Sequence, residues 1–245
     1  MEETGKNPIQ VAERLFQVIE RLAENGPMGI MDLSAELGFH KSTTHRLVTS
    51  LQYMGYIRQD EESLKYALSL KFLEIGSKIL EQTNMASLIH PSLKKLSEQT
   101  GETVHLVRRE GTEAVYIDKV ESTVSSIRMV SRVGSRIPLY CSGVGKALLA
   151  ELPDPEIEDI WNSSEITSLT PYTVTSLSDL MDRIRGVREA GFAMDDEENE
   201  EGVRCIAVSI PDYHKEPVYA LSISAPVSRM TDARIAELST DVLTF

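Results

Sequence analysis

Three short runs of helical periodicity, each cut off at a glycine, constrain this chain more tightly than anything else in it. Val11, Leu15, Ile19 and Leu22 recur on one helical face and stop at Asn25-Gly26-Pro27. A second segment, Met31 to Leu37, ends at Gly38. A third, from Lys41 to Met54, sets Leu47, Val48 and Leu51 on one side and ends at Gly55. Next, Tyr56-Ile57-Arg58-Gln59 and Leu64-Lys65-Tyr66 flank Asp60-Glu61-Glu62-Ser63, the pattern of a hairpin. Three short helices with a tight glycine turn, followed by a hairpin, describe a winged helix-turn-helix. Residues 67–82 then read as one helix with a narrow heptad-like stripe of Leu68, Phe72, Ile75 and Ile79. So narrow a stripe suits helix–helix packing, either against a second chain or against its own domain.

The remainder mixes elements. The pattern predicts a helix from Met85 to Gln99 and a hairpin of Val104–Arg108 with Ala114–Ile117 about Glu110-Gly111-Thr112. It also predicts a strand at Ile127–Val130, a helix opening at Ser142-Gly143, and helices over 155–162 and 177–190. Strands Cys205–Ile210 and Val218–Ser224 and a helix over 231–242 close the chain. Strand pairs joined directly, with helices between groups, argue for an α+β domain with an antiparallel sheet. The expected division is 1–66 for the winged head, 67–82 for a linker and dimerisation helix, and 83–245 for the second domain.

Charge narrows the function. The chain carries 38 acidic residues against 25 Lys+Arg, a net of -13, so a uniformly basic nucleic-acid coat is excluded. Yet residues 39–59 hold Lys41, Arg46 and Arg58 and no acid at all. The sharpest acidic run, Asp195-Asp196-Glu197-Glu198-Asn199-Glu200-Glu201, reads as a solvated loop. No apolar run is long enough for a membrane-spanning helix, and the first residues carry no secretory pattern. Two cysteines, Cys141 and Cys205, do not make a disulfide scaffold, which points to a reducing cytoplasm.

Catalytic motifs fail on inspection. Tyr140-Cys141-Ser142-Gly143-Val144-Gly145-Lys146-Ala147 lacks the first Gly and the final Ser/Thr of a P-loop. A nucleophile elbow on Ser142 would need glycine at both 140 and 144. The histidines and cysteines show no metal-ligand spacing, so neither a metal nor a cofactor is expected.

Four segments resemble the IclR family of bacterial and archaeal transcriptional regulators. Lys41-Ser42-Thr43-Thr44-His45-Arg46-Leu47 is similar to that family's recognition helix, and Tyr66–Gly76 to its join between wing and linker helix. Ile137–Ala150 resembles its most recognisable stretch. Asp195–Glu198, Gly202–Ala207 and Leu221–Pro226 complete the order. The resemblance implies a winged head, a linker helix and a GAF-like effector domain. Met31 and His40 stand where the family's later helices usually begin on a Ser/Thr/Pro-type residue, so weaker N-caps are expected there.

Lys41, Ser42, Thr43, Thr44, Arg46 and Arg58 are the candidate contacts to double-stranded operator DNA. Small hydroxyls at a helix start reach phosphates or base edges, Lys41 offers a point charge, and Arg46 offers a bidentate fork to guanine. So few cations per chain bind weakly in physiological salt, which implies a homodimer or a dimer of dimers on a near-palindromic site. For the second domain the resemblance implies effector contacts at Gly143, Val144, Asp195, Cys205, Ser222 and Ser224, with Met129 as an apolar wall. The effector class expected is a small hydroxy- or oxo-carboxylate from carbon catabolism, with Asp195 repelling a second carboxylate. A repressor is the leading expectation. A tetrameric ligand-dependent activator, and a metal-binding or catalytic sensor with a non-functional DNA head, remain open alternatives.

Overall fold

The structure is a computed structural model and describes residues 7–82, 84–122, 130–212 and 216–243. The chain divides into two compact units, Met1–Gln82 and Thr83–Phe245.

In the first unit, α1 (Gln10–Asn25), α2 (Ile30–Leu37) and α3 (Lys41–Tyr53) precede a small wing of β1 (Ile57–Gln59) and β2 (Tyr66–Leu68), and α4 (Lys71–Gln82) follows. The apolar faces meet in one core of Val18, Leu22, Leu33, Leu47, Val48, Leu51 and Ile57. Gly38 ends α2 in the left-handed conformation (φ 64°), where its N–H reaches the carbonyls of Ala35 and Ser34. Gly29 and His40 precede α2 and α3 with no side-chain cap, and α2 starts one residue before Met31.

The wing corrects the expected boundary. Ile57 pairs with Leu68 and Gln59 with Tyr66, so the second strand is Tyr66–Leu68 rather than Leu64–Tyr66. Tyr66 also exchanges backbone hydrogen bonds with Met28. With 66–68 committed to the sheet, α4 cannot start at 67, and Ser69 Oγ accepts the Lys71 N–H at its start. The expected stripe also divides. Leu68 and Phe72 are half-buried within their own unit, Phe72 against the Tyr56 ring (centroids 5.3 Å), whereas Leu70, Leu73, Ile75 and Ile79 are exposed.

In the second unit, α5 (Asn84–Thr100) leads into β3 (Thr103–Glu110), β4 (Glu113–Val120) and β5 (Arg136–Pro138). Helices α6 (Gly143–Ala150), α7 (Asp154–Ser163) and α8 (Leu177–Ala190) intervene before β6 (Ala193–Asp196), β7 (Val203–Ile210), β8 (Tyr219–Pro226) and α9 (Asp232–Leu243). The six strands form one antiparallel sheet in the order β5-β4-β3-β8-β7-β6. Strand alternation builds two cores. Val104, Leu106, Ile206, Leu221 and Ile223 pack with α5 and α9 on one face. Val107, Ala207 and Ala220 pack with α6, α7 and α8 on the other. The same alternation puts His105, Cys205, Ser222 and Ser224 on the α6 face, where they replace apolar residues at one end of the layer.

Strands β5 and β6 are not visible in the apolar pattern. The strand expected at 127–130 falls mostly outside the described residues, and Val130 itself lies in a bend. Within the run whose charge suggests a solvated loop, Asp195, expected instead at the effector site, and Glu198 are buried. No helix among the described residues is long and apolar enough to cross a membrane.

Candidate functional site

The polar end of the α6 layer is a cavity of about 40 Å³ lined by Gly143, Val144, Asp195, Cys205, Ser222 and Ser224, together with His105, Tyr116, Ser131 and Asn199. Six of the seven positions expected from the family resemblance thus come together. The seventh, Met129, lies outside the described residues. A single water molecule needs roughly 10–15 Å³ of such space, so the cavity suits a ligand of a few heavy atoms.

Helix α6 is positioned from below. Ser142 is its N-cap: the Ser142 hydroxyl accepts the Gly145 N–H (3.1 Å) and donates to the Pro138 carbonyl (2.6 Å). A Cβ on Gly145 would stand 2.1 Å from the Leu139 carbonyl oxygen, so the helix enters at a depth that only glycine permits. A Cβ on Gly143 would meet Cys205 Sγ at 2.9 Å. The Gly145 N–H is taken by Ser142 and the Gly143 N–H by Cys205, so the Val144 N–H and the positive end of the helix border the cavity.

Asp195 closes one side. Its Oδ1 accepts the N–H groups of Glu198 (2.8 Å) and Asn199 (3.4 Å). Burial pushes its carboxyl up to about 7 against the opposing pull of Lys146 and the backbone N–H of Glu198. Near neutrality Asp195 therefore has its protonated form within reach. The expected repulsion of a second carboxylate is therefore partial, and the neutral form donates a hydrogen bond instead.

Behind Asp195, Lys146 and Glu198 form an ion pair at 2.5 Å with side chains 1% and 3% exposed. Glu198 Oε2 has no hydrogen-bond partner among the described residues. The backbone carbonyl of Glu198 accepts from Thr173 Oγ1 (2.7 Å), so the turn after β6 is tied down from two sides. Burial raises the Cys205 thiol well above its ordinary range. A thiol held protonated is a wall of the cavity rather than a nucleophile.

His105 was missed at the sequence level. It lies on β3 opposite Ser222 of β8, and its Nε2 is 2.8 Å from Ser131 Oγ. Burial lowers its imidazole to about 3, so it stays neutral. The one available signal was a polar residue interrupting Val104-His105-Leu106-Val107, which taken alone is as well explained by a satisfied core histidine. A larger groove of about 700 Å³ lies among α5, α6, α8, α9 and β7, but its charged members are committed, Arg188 to Ala150, Leu152 and Asp154 and Glu151 to the Ser209 hydroxyl.

In the first unit, Lys41, Ser42 and Arg46 are exposed on α3, Arg58 is exposed on β1, and Thr43 is half-buried. Thr44 is a correction. It is 0% exposed, and its hydroxyl donates to the His40 carbonyl at 3.3 Å, so it belongs to the core and not to the exposed face of α3. The exposed face gains His45 and Thr49 instead, one turn apart and joined at 3.5 Å. Arg46 and Thr43 also border a groove shared with Arg14 of α1.

An exposed cation-bearing helix in a winged head, on the same chain as a small polar cavity, fits the class of DNA-binding transcriptional regulators. Comparison with known proteins is specific. The family model for the bacterial transcriptional regulator IclR C-terminal domain matches residues 77–245, and that for the IclR helix-turn-helix domain matches 11–61. The acetate operon repressor of Salmonella typhimurium is 37% identical over 238 residues, covering 96% of this chain and 86% of that protein. The transcriptional repressor IclR of Escherichia coli is 35% identical over the same shares. The crystal structure of the Thermotoga maritima IclR superposes with a TM-score of 0.81 at 32% identity, covering 96% of this chain and 94% of that one. The chain belongs to the IclR family of transcriptional regulators.

Proposed function

We propose that this protein is a cytoplasmic repressor that releases or retains its operator according to the occupancy of the α6 cavity by a short hydroxy- or oxo-monocarboxylate. One observation carries the effector half of this: Gly143, Val144, Asp195, Cys205, Ser222 and Ser224 line a single small cavity with a helix N-terminus at one side. The helix start favours a carboxylate, the serines take further oxygens, and the size excludes large ligands. Repression is favoured by the relatives, several of which are named repressors. DNA contact is assigned to Lys41, Ser42, Thr43, Arg46 and Arg58, with the head extending through Leu68, α4 as linker and the effector unit beyond it.

The working form is proposed to be a homodimer. Four apolar side chains on α4 and its approach are exposed, Leu70 by 81% and Leu73 by 68%, which is costly on a free monomer. A dimer also doubles the phosphate contacts.

The test is binding of the purified protein to DNA upstream of its own gene, against a scrambled duplex, over a salt series and with short carboxylic acids. Preferential binding with a steep salt slope, weakened by an acid, is the expected result. Equal binding to both duplexes in every condition would overturn the operator assignment, and tighter binding with acid would leave a co-repressor or a ligand-dependent activator, which a promoter assay tells apart.

A further inference from the structure

We propose that His105, held by Ser131, is the residue that makes the cavity select an acid bearing an oxygen on the carbon next to its carboxylate. This rests on the reading of the cavity as the effector site.

The geometry is specific. His105 is buried on β3, its ring edge-on to Tyr116 at 5.1 Å between centroids. Nε2 is fixed by Ser131 Oγ at 2.8 Å. Nδ1 faces two hydroxyls at once, Ser222 Oγ and Ser224 Oγ, each at 3.4 Å. An imidazole nitrogen has one proton or one lone pair, so it cannot serve both, and 3.4 Å is the far end of hydrogen-bond reach. Nδ1 can therefore serve only one of the two hydroxyls well, the Ser224 hydroxyl having the Cys205 thiol as its other neighbour. A ligand oxygen placed between them offers His105 Nδ1 and Ser222 Oγ a closer partner than the 3.4 Å contact they share.

The imidazole is neutral, so it offers this oxygen a hydrogen bond and not a charge. With Nδ1 unprotonated it accepts from a hydroxyl. With Nδ1 protonated it donates to a carbonyl, and the Ser131 hydroxyl turns to match Nε2. Either form leaves a methylene at that place facing unpaired polar groups, the arrangement by which a polar site rejects an apolar analogue. The carboxylate itself is left to the α6 N-terminus.

The experiment is calorimetry on the full chain with lactate, pyruvate and propionate, which share a three-carbon skeleton and differ at the second carbon. Lactate and pyruvate should bind at least about tenfold tighter than propionate. In His105→Phe the difference should fall below about threefold, and in His105→Asn most of it should return, because the amide restores a polar atom near the Nδ1 position. A folded His105→Phe that keeps the wild-type preference overturns the proposal while leaving the cavity as effector site. Equal binding of all three acids to the wild type does the same. If the wild type binds none of them, the effector-site reading fails and takes this proposal with it. Should His105→Phe not fold, Ser131→Ala is read instead. Freeing Nε2 must change the lactate-to-pyruvate ratio, and an unchanged ratio overturns the role of the pair.

Discussion

Asp195 is the residue expected to dominate the pH behaviour of the second unit. Its carboxyl is raised from the ordinary 3.8 to about 7 because burial disfavours the charged form. A raised acid contributes stability that is complete below the unfolded value and is lost as pH rises through the folded one. Denaturation midpoints should therefore decline between about pH 4 and pH 7 more in the wild type than in Asp195→Asn. Effector binding carries the same sign. A monocarboxylate prefers the neutral Asp195, so its affinity should fall by up to about tenfold per pH unit above 7, and Asp195→Asn should flatten that slope. Titration of affinity from pH 6 to 9 checks it, and a slope surviving in the variant assigns the proton elsewhere. Lys146 and Glu198 give a second prediction. Removing one charge of a buried pair strands the other, so Lys146→Met should cost about 3–5 kcal/mol. Lys146→Met with Glu198→Leu should recover most of that in urea unfolding, since the stranded charge is gone as well.

Among the elements, α3 and α6 differ in how far the sequence discloses them. The start and stop of α3 were legible because Gly38 and Gly55 punctuate an otherwise regular pattern, and both adopt positive φ. Which of its hydroxyls face outward was not: Thr43 and Thr44 are alike in type, and only the packing of α3 on α1 and α2 turns Thr44 inward. Arg46→Ala should therefore weaken specific DNA binding by about 1–3 kcal/mol, while Thr44→Val should change it by no more than about twofold, both read by anisotropy. The opening of α6 was legible from Ser142-Gly143, but its buried lysine was not, since the partner Glu198 is 52 residues away. Strand β6 was hidden for a related reason. Two of its four residues are acidic, and the charges that suggest solvent are the ones the fold pairs: Asp196 with Arg204 at 2.6 Å, and Asp195 with two backbone N–H groups. His105 was hidden because one histidine in an apolar strand gains meaning only when β8 brings two serines beside it. Gly145 is the sharpest element-level constraint. With a Cβ 2.1 Å from the Leu139 backbone, Gly145→Ala must displace α6 or β5, and a loss of about 3 kcal/mol is expected in thermal unfolding.

The whole molecule must connect two units by thermodynamics, whatever path the connection takes. An effector alters operator affinity only by binding the free and DNA-bound forms differently, and the two effects are equal and reciprocal. If saturating acid weakens operator binding about thirtyfold, or ~2 kcal/mol, operator DNA must weaken acid binding by the same factor. The proposed dimer would enter the same balance through salt. Leu73→Asp with Ile75→Asp places charge on the exposed face of α4 and should shift the protein to monomer in sedimentation. The slope of log affinity against log salt should then fall toward half, because each monomer neutralises half the phosphates. Acid affinity in that variant should stay near the wild-type value, as every cavity residue named here comes from one chain. The linkage should vanish with the dimer if effector and DNA communicate through the pairing of two heads. If the monomeric variant still shows reciprocal coupling, the communication runs within a single chain and α4 serves only to hold two copies together.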